Sequence, residues 1–95
     1  MGNKSLYQKK KQAQLDELHA DIDKLKAKAA KANADSQLEM NKQIKTLESK
    51  MKEGKSKLKE LADASDEAWE TFKDGVEVSW DSLKKSVNDA VAKLK

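Results

Sequence analysis

LDELHADIDKL, residues 15–25, sets apolar side chains at Leu15, Leu18, Ile22 and Leu25 among charged and small residues. Steps of three, four and three return to one side of an α-helix, whereas a strand would change sides at every residue. The segment therefore predicts an amphipathic helix with one face to bury.

Advancing 100° per residue from this stretch keeps the same face apolar in both directions. Ala29 follows, then Met40, Ile44, Leu47, Met51, Leu58 and Leu61. Trp69, Phe72, Val76, Trp80, Leu83, Val87 and Leu94 complete the stripe. Its spacing is a heptad from Leu15 to Ala32, and again from Ile44 through Gly54, Leu58, Leu61, Ser65 and Ala68. From Trp69 onward the spacing predicts an 11-residue repeat, with Trp69, Phe72 and Val76 recurring as Trp80, Leu83 and Val87 and then as Val91 and Leu94. Heptads favour left-handed winding of helices; 11-residue repeats favour straight or right-handed packing.

Two clusters read as helix punctuation. In Ala32-Asn33-Ala34-Asp35-Ser36, Ser36 with Glu39 has the form of a capping box. Asp63-Ala64-Ser65-Asp66-Glu67 gathers cap residues and acids, which suit the positive end of a helix dipole. Ser5 with Gln8 offers a similar start to the first helix. Helices are thus expected near 5–33, 36–63 and 66–94, within a single helical domain spanning 1–95. Three pieces of nearly equal length suit an all-α fold, either a helical hairpin or a three-helix up-down-up coiled-coil bundle. The alternative is one long helix in a homo-oligomeric coiled coil. The unbroken stripe, and turns without glycine or proline, speak for that alternative.

Composition agrees with helices. Ala, Glu, Lys and Leu supply 50 of the 95 residues, there is no proline, and glycine occurs three times. Leu, Ile, Val and Phe total only 17, so the core is thin and the helices depend on packing against one another. Residues 1–33 and 34–62 carry more lysines than acids, and 63–95 more acids than lysines. Opposite signs favour packing the last piece on the first two. Without cysteine, a disulfide framework and a thiolate metal site are excluded. No apolar run approaches the length of a membrane span, and the start lacks a secretory leader and misses the myristoylation pattern at Leu6. The expected compartment is the cytoplasm.

Chemistry-bearing constellations are sparse. His19 is the only histidine; with Asp16 and Asp23 it makes one carboxylate–histidine element, where a helical metal site needs more. No nucleophile set and no glycine-rich phosphate loop stands out. The expectation is a protein without catalytic, metal or cofactor sites. Lys4, Lys9, Lys10 and Lys11 form a basic patch that could meet a polyanion, although acids return within a few residues of Gln14. All 20 basic residues are lysine; the absence of arginine argues against specific nucleic-acid recognition.

Tyr7-Gln8-Lys9-Lys10, Ala13-Gln14-Leu15-Asp16-Glu17-Leu18 and Ile22-Asp23-Lys24-Leu25-Lys26-Ala27-Lys28-Ala29 resemble a family of small bacterial coiled-coil proteins. The run Ala64-Ser65-Asp66-Glu67-Ala68-Trp69-Glu70, with Lys73-Asp74-Gly75-Val76-Glu77 and Ser79-Trp80-Asp81-Ser82-Leu83-Lys84, carries the more specific part of that likeness. The resemblance implies a helical protein, stress-associated in some relatives, and assigns no functional residue. Lys9-Lys10-Lys11 and Met40-Asn41 depart from the family pattern, in which an aromatic is common near position 40.

Residues and resemblance together predict a non-enzymatic structural or interaction protein, working by self-association or with another helical protein. The packing stripe is expected to comprise Leu15, Leu18, Ile22, Leu25, Ile44, Leu47, Met51, Leu58, Leu61, Trp69, Phe72, Val76, Trp80, Leu83 and Val87. The competing expectation is a peripheral protein that lays the amphipathic segment 66–94 on a membrane surface, with aromatics at the interface.

Overall fold

The chain reverses at Asn33 and again at Ala64, residues that share one backbone geometry. Asn33 has φ −67° and ψ 168°, and Ala64 has φ −72° and ψ 154°. In each case φ stays helical and only ψ swings to the extended region, which stops the helix without glycine or proline. The result, in a computed structural model that describes residues 3–93, is an all-α three-helix bundle of α1 (Asn3–Lys31), α2 (Ala34–Asp63) and α3 (Glu70–Lys93). The helices run up, down and up, and the one-long-helix alternative does not describe the folded chain.

The caps differ in part from expectation. Ser36 is not the N-cap of α2. Asn33 holds that place, its Oδ1 accepting from the Ser36 amide at 2.9 Å. Asparagine and serine cap equally well, and Asn33 precedes the helix by the spacing a cap needs. Ser5 lies inside α1, which already includes Asn3. At the second reversal Ser65 caps as the sequence suggests: its Oγ accepts from the Ala68 amide at 3.1 Å. A short turn through Trp69 then leads into α3. Lys4 reaches across to donate to the Ala64 carbonyl, placing a cation at the negative end of α2.

The core takes Leu15, Leu18, Ile22, Leu25 and Ala29 from α1; Met40, Ile44, Leu47, Met51, Leu58 and Leu61 from α2; and Val76, Trp80, Leu83, Val87 and Ala90 from α3, with Trp69 just ahead of it. Leu15, Leu61 and Leu83 are almost wholly enclosed. Each such leucine stabilises the fold by about 1.5–3 kcal/mol relative to exposure. Gly54 is buried too, because the six-membered ring of Trp80 occupies the space beside it. A Cβ there would stand 3.2 Å from Trp80 Cζ3.

Two expectations about α3 are corrected. Its buried residues do not follow an 11-residue repeat. Trp69, Val76, Leu83 and Ala90 stand seven apart, and so do Trp80 and Val87. Phe72, counted in the stripe, is 39% exposed, and Val91 is 38% exposed. Both sit one residue to the side of a seam position, where a neighbouring helix covers only part of the ring or the methyls. Leu94 lies outside the described residues.

The 11-residue step belongs to the turns. It separates Ala29 from Met40 across the first reversal and Leu58 from Trp69 across the second, where Leu61 is buried between them. Consequently the seam of each helix repeats in the next at a spacing of 29. Lys11, Met40 and Trp69 correspond, as do Leu18, Leu47 and Val76, and Ile22, Met51 and Trp80. Twenty-nine residues make eight helical turns to within about 20°. That is why the stripe holds one phase through the whole sequence although the chain folds back twice.

Helix α2 is the central element, packed extensively on both neighbours, while α1 and α3 touch much less. The bundle is a rod of 52 × 18 × 16 Å.

A cation–aromatic cluster as the candidate functional site

Where α1 meets α3, the seam is finished by charged and aromatic side chains instead of aliphatic ones. Lys11 precedes Leu15 by four and Leu18 by seven, which makes it a seam residue of α1, and it is buried at 7% exposure. A buried ammonium is costly unless it is paired. Lys11 Nζ makes an ion pair with Glu77 of α3. It also lies 5.5 Å from the ring centroid of Tyr7 and 6.0 Å from that of Trp80, within cation–π range.

Tyr7 closes the cluster. Its hydroxyl donates to the same Glu77 Oε2 at 2.7 Å. Its ring tilts against Trp69, with centroids 5.7 Å apart and planes at 42°. Lys73, in the turn of α3 between Trp69 and Glu77, stands 5.3 Å from the Tyr7 centroid and 5.9 Å from that of Trp69. Glu77 is thus met by Lys11, Tyr7 and the nearby charge of Lys73.

These surroundings set the protonation states. Burial pushes the Tyr7 phenol up, and the hydrogen bond to Glu77 and the charges of Glu77 and Asp74 push it further. Burial also pushes Glu77 up, but the hydrogen bonds from Lys11 and Tyr7 and the positive charges of Lys11 and Lys73 outweigh it. Its carboxyl is held below the usual carboxylate range. At neutral pH the cluster is a carboxylate held by an ammonium and a phenol. Its members satisfy one another, which suits latching α3 to α1 more than turning over a substrate.

Of the four lysines expected to form a basic patch, the structure separates two from the other two. Lys4 and Lys11 turn inward, to the end of α2 and to Glu77. Lys9 and Lys10 are exposed. His19 is exposed with Asp23, Nδ1 to Oδ2 at 3.2 Å, while Asp16 accepts from Gln12 at 3.0 Å. Among the described residues no three histidine, cysteine or acidic side chains gather as metal ligands would.

Two other polar arrangements lie outside the cluster. Lys50 Nζ reaches Ser86 Oγ at 2.7 Å and Ser82 Oγ at 3.1 Å, tying α2 to the middle of α3. Lys26 pairs with Glu48 at 2.7 Å between α1 and α2, and its ammonium is held above its ordinary value first by that hydrogen bond and then by the glutamate charge. Beside the cluster, an open groove of about 350 Å³ runs between α1 and α3, lined by Gln14, Glu17, Leu18, Asp81 and Lys84 and floored by Trp80. Its charged lining is mixed, with acids at Glu17, Asp21 and Asp81 and lysines at Lys11 and Lys84. Among the described residues, the buried Nε1–H of Trp80 meets no acceptor.

The stripe itself was legible before the structure; the cluster was not. Its sequence signal existed, because Lys11 keeps the heptad of Leu15 and Leu18. A lysine inside a run of lysines reads as surface, and only the arrival of Glu77 from α3 changes that.

The chain matches no known family model, no curated protein and no solved structure. No helix among the described residues is long and apolar enough to cross a membrane.

Proposed function

We propose that this is a non-enzymatic helical protein whose work is helix–helix association, first of all with its own kind. One observation carries the reading: the apolar side chains, with Lys11 and its Glu77 partner, are committed to helix contacts along one continuous seam. Ser82 and Ser86, which Lys50 meets, lie inside α3, where the backbone amides are engaged in the helix. A stress-associated role follows from the resemblance to small bacterial coiled-coil proteins and belongs to the same proposal, as does the cytoplasm expected from the sequence.

Light scattering across a wide concentration range tests it. A mass that rises reversibly above that of one chain supports association, and a mass fixed at one chain at every concentration overturns the self-association reading. The competing membrane reading requires α3 to leave the bundle, since Trp69, Val76, Trp80 and Leu83 are buried there. Flotation with anionic vesicles decides between them: the folded chain is expected to stay with the unbound fraction, and recovery with the vesicles would favour the membrane reading.

A further inference from the structure

We infer that the second copy joins by exchanging helices: the reversal at Asn33 straightens, α1 and α2 become one continuous helix, and α1 of each copy completes the core of the other. The inference rests on the association reading above and specifies its geometry.

Four observations carry it. First, the reversal is short, with only Ala32 and Asn33 between α1 and α2. Short connections are where exchange between copies is favoured. Second, Asn33 keeps a helical φ of −67°, so at that residue straightening needs only a rotation of ψ. Third, the phase is right. The seam crosses Asn33 by an 11-residue step from Ala29 to Met40, which a straight helix accommodates as a local unwinding. A turn between unrelated helices has no reason to preserve that phase. Fourth, the register is self-complementary. Lys26 pairs with Glu48, so the α1–α2 contact is symmetric about residue 37. Two straightened chains can therefore lie antiparallel across a two-fold axis near Gln37 and remake every α1–α2 contact between copies.

The opened chain alone would expose the stripe, so the open form exists only as a pair. What the pair gives up is the cap, the hydrogen bond from the Ser36 amide to Asn33 Oδ1. What it gains is continuous helix across the hinge.

Mixed-isotope cross-linking tests the exchange. Ordinary and 15N-labelled full-length chains are unfolded together, refolded at high concentration, and treated with a zero-length carbodiimide that joins Lys26 to Glu48. Mass spectrometry of the dimer fraction is expected to show Lys26–Glu48 links between light and heavy peptides. Asn33→Ala, which removes the cap and favours helix, is expected to raise the dimer-to-monomer ratio by about fivefold per hinge. Inserting two glycines between Ala32 and Asn33 leaves a hairpin feasible but turns a straight helix by about 200°, and is expected to abolish the dimer while the monomer stays folded. A dimer whose Lys26–Glu48 links are all of one isotope overturns exchange and leaves association by surface contact. A dimer that survives the insertion also overturns it. No dimer at any concentration overturns both the exchange and the self-association reading.

Discussion

Gly54 and Gly75 both lie inside helices, and their surroundings give them opposite roles. A Cβ at Gly75 meets nothing within 4 Å, so Gly75→Ala keeps every contact and removes the entropic cost of glycine. It is expected to stabilise the bundle by about 0.5–1 kcal/mol, read as a rise in thermal midpoint. At Gly54 the same methyl presses on Trp80, whose ring is enclosed. Gly54→Val is expected to destabilise by about 1–3 kcal/mol, the usual cost of overfilling a core. Lys11 and Glu77 form a similar contrast. Glu77→Gln strands a buried ammonium and is expected to cost about 1–3 kcal/mol in denaturant unfolding. Lys11→Met removes the charge along with its need for a partner, and is expected to leave stability within about 1 kcal/mol of the parent.

Among the elements, the helices were readable because period and composition agree along most of the chain. Leu15 through Ala29 and Ile44 through Leu61 are buried as their spacing requires. The reading of α3 failed where two periods fit nearly the same residues. Trp69, Val76, Trp80, Leu83 and Val87 satisfy a heptad and an 11-residue repeat alike, and only Phe72 and Val91 tell them apart. A single sequence gives no weight to either, since both are apolar; the structure decides by leaving both at the edge. The first turn was misjudged for a related reason. Asn33 and Ser36 are both competent caps three residues apart, and the one that loses its helical ψ becomes the cap. Because Asn33 holds the Ser36 amide, Asn33→Ala is expected to cost the single bundle about 1 kcal/mol, measurable at concentrations low enough to keep it monomeric.

For the whole molecule, stability and the state of the α1–α3 cluster should move together with pH. Glu77 has a folded value below its unfolded one, so its contribution is complete above the ordinary glutamate range and is lost as pH falls through the lowered value. Tyr7 has a folded value above its unfolded one, so its contribution is complete below the ordinary tyrosine range and is lost as pH rises toward the raised value. The cluster is therefore intact across the neutral range and weakens at both extremes. Glu77→Gln is expected to flatten the acid limb of the stability profile. A stronger perturbation tests the core: Leu83→Asp buries a carboxylate at a fully enclosed position and is expected to abolish cooperative unfolding. A variant melting like the parent would place the core elsewhere.

The central position of α2 also governs the order of events in folding. Its two large interfaces are with helices adjacent in sequence, and α1 and α3, the remote pair, share the smallest one, to which the cluster belongs. Contacts of short sequence separation close early and cheaply. Either hairpin can nucleate on α2, and the link from Tyr7 and Lys11 to Glu77 then closes last. Substitutions in that link should accelerate unfolding while leaving the refolding rate nearly unchanged, whereas Leu47→Ala or Leu58→Ala should slow refolding. The latch would then set how long the bundle stays shut, rather than how quickly it forms.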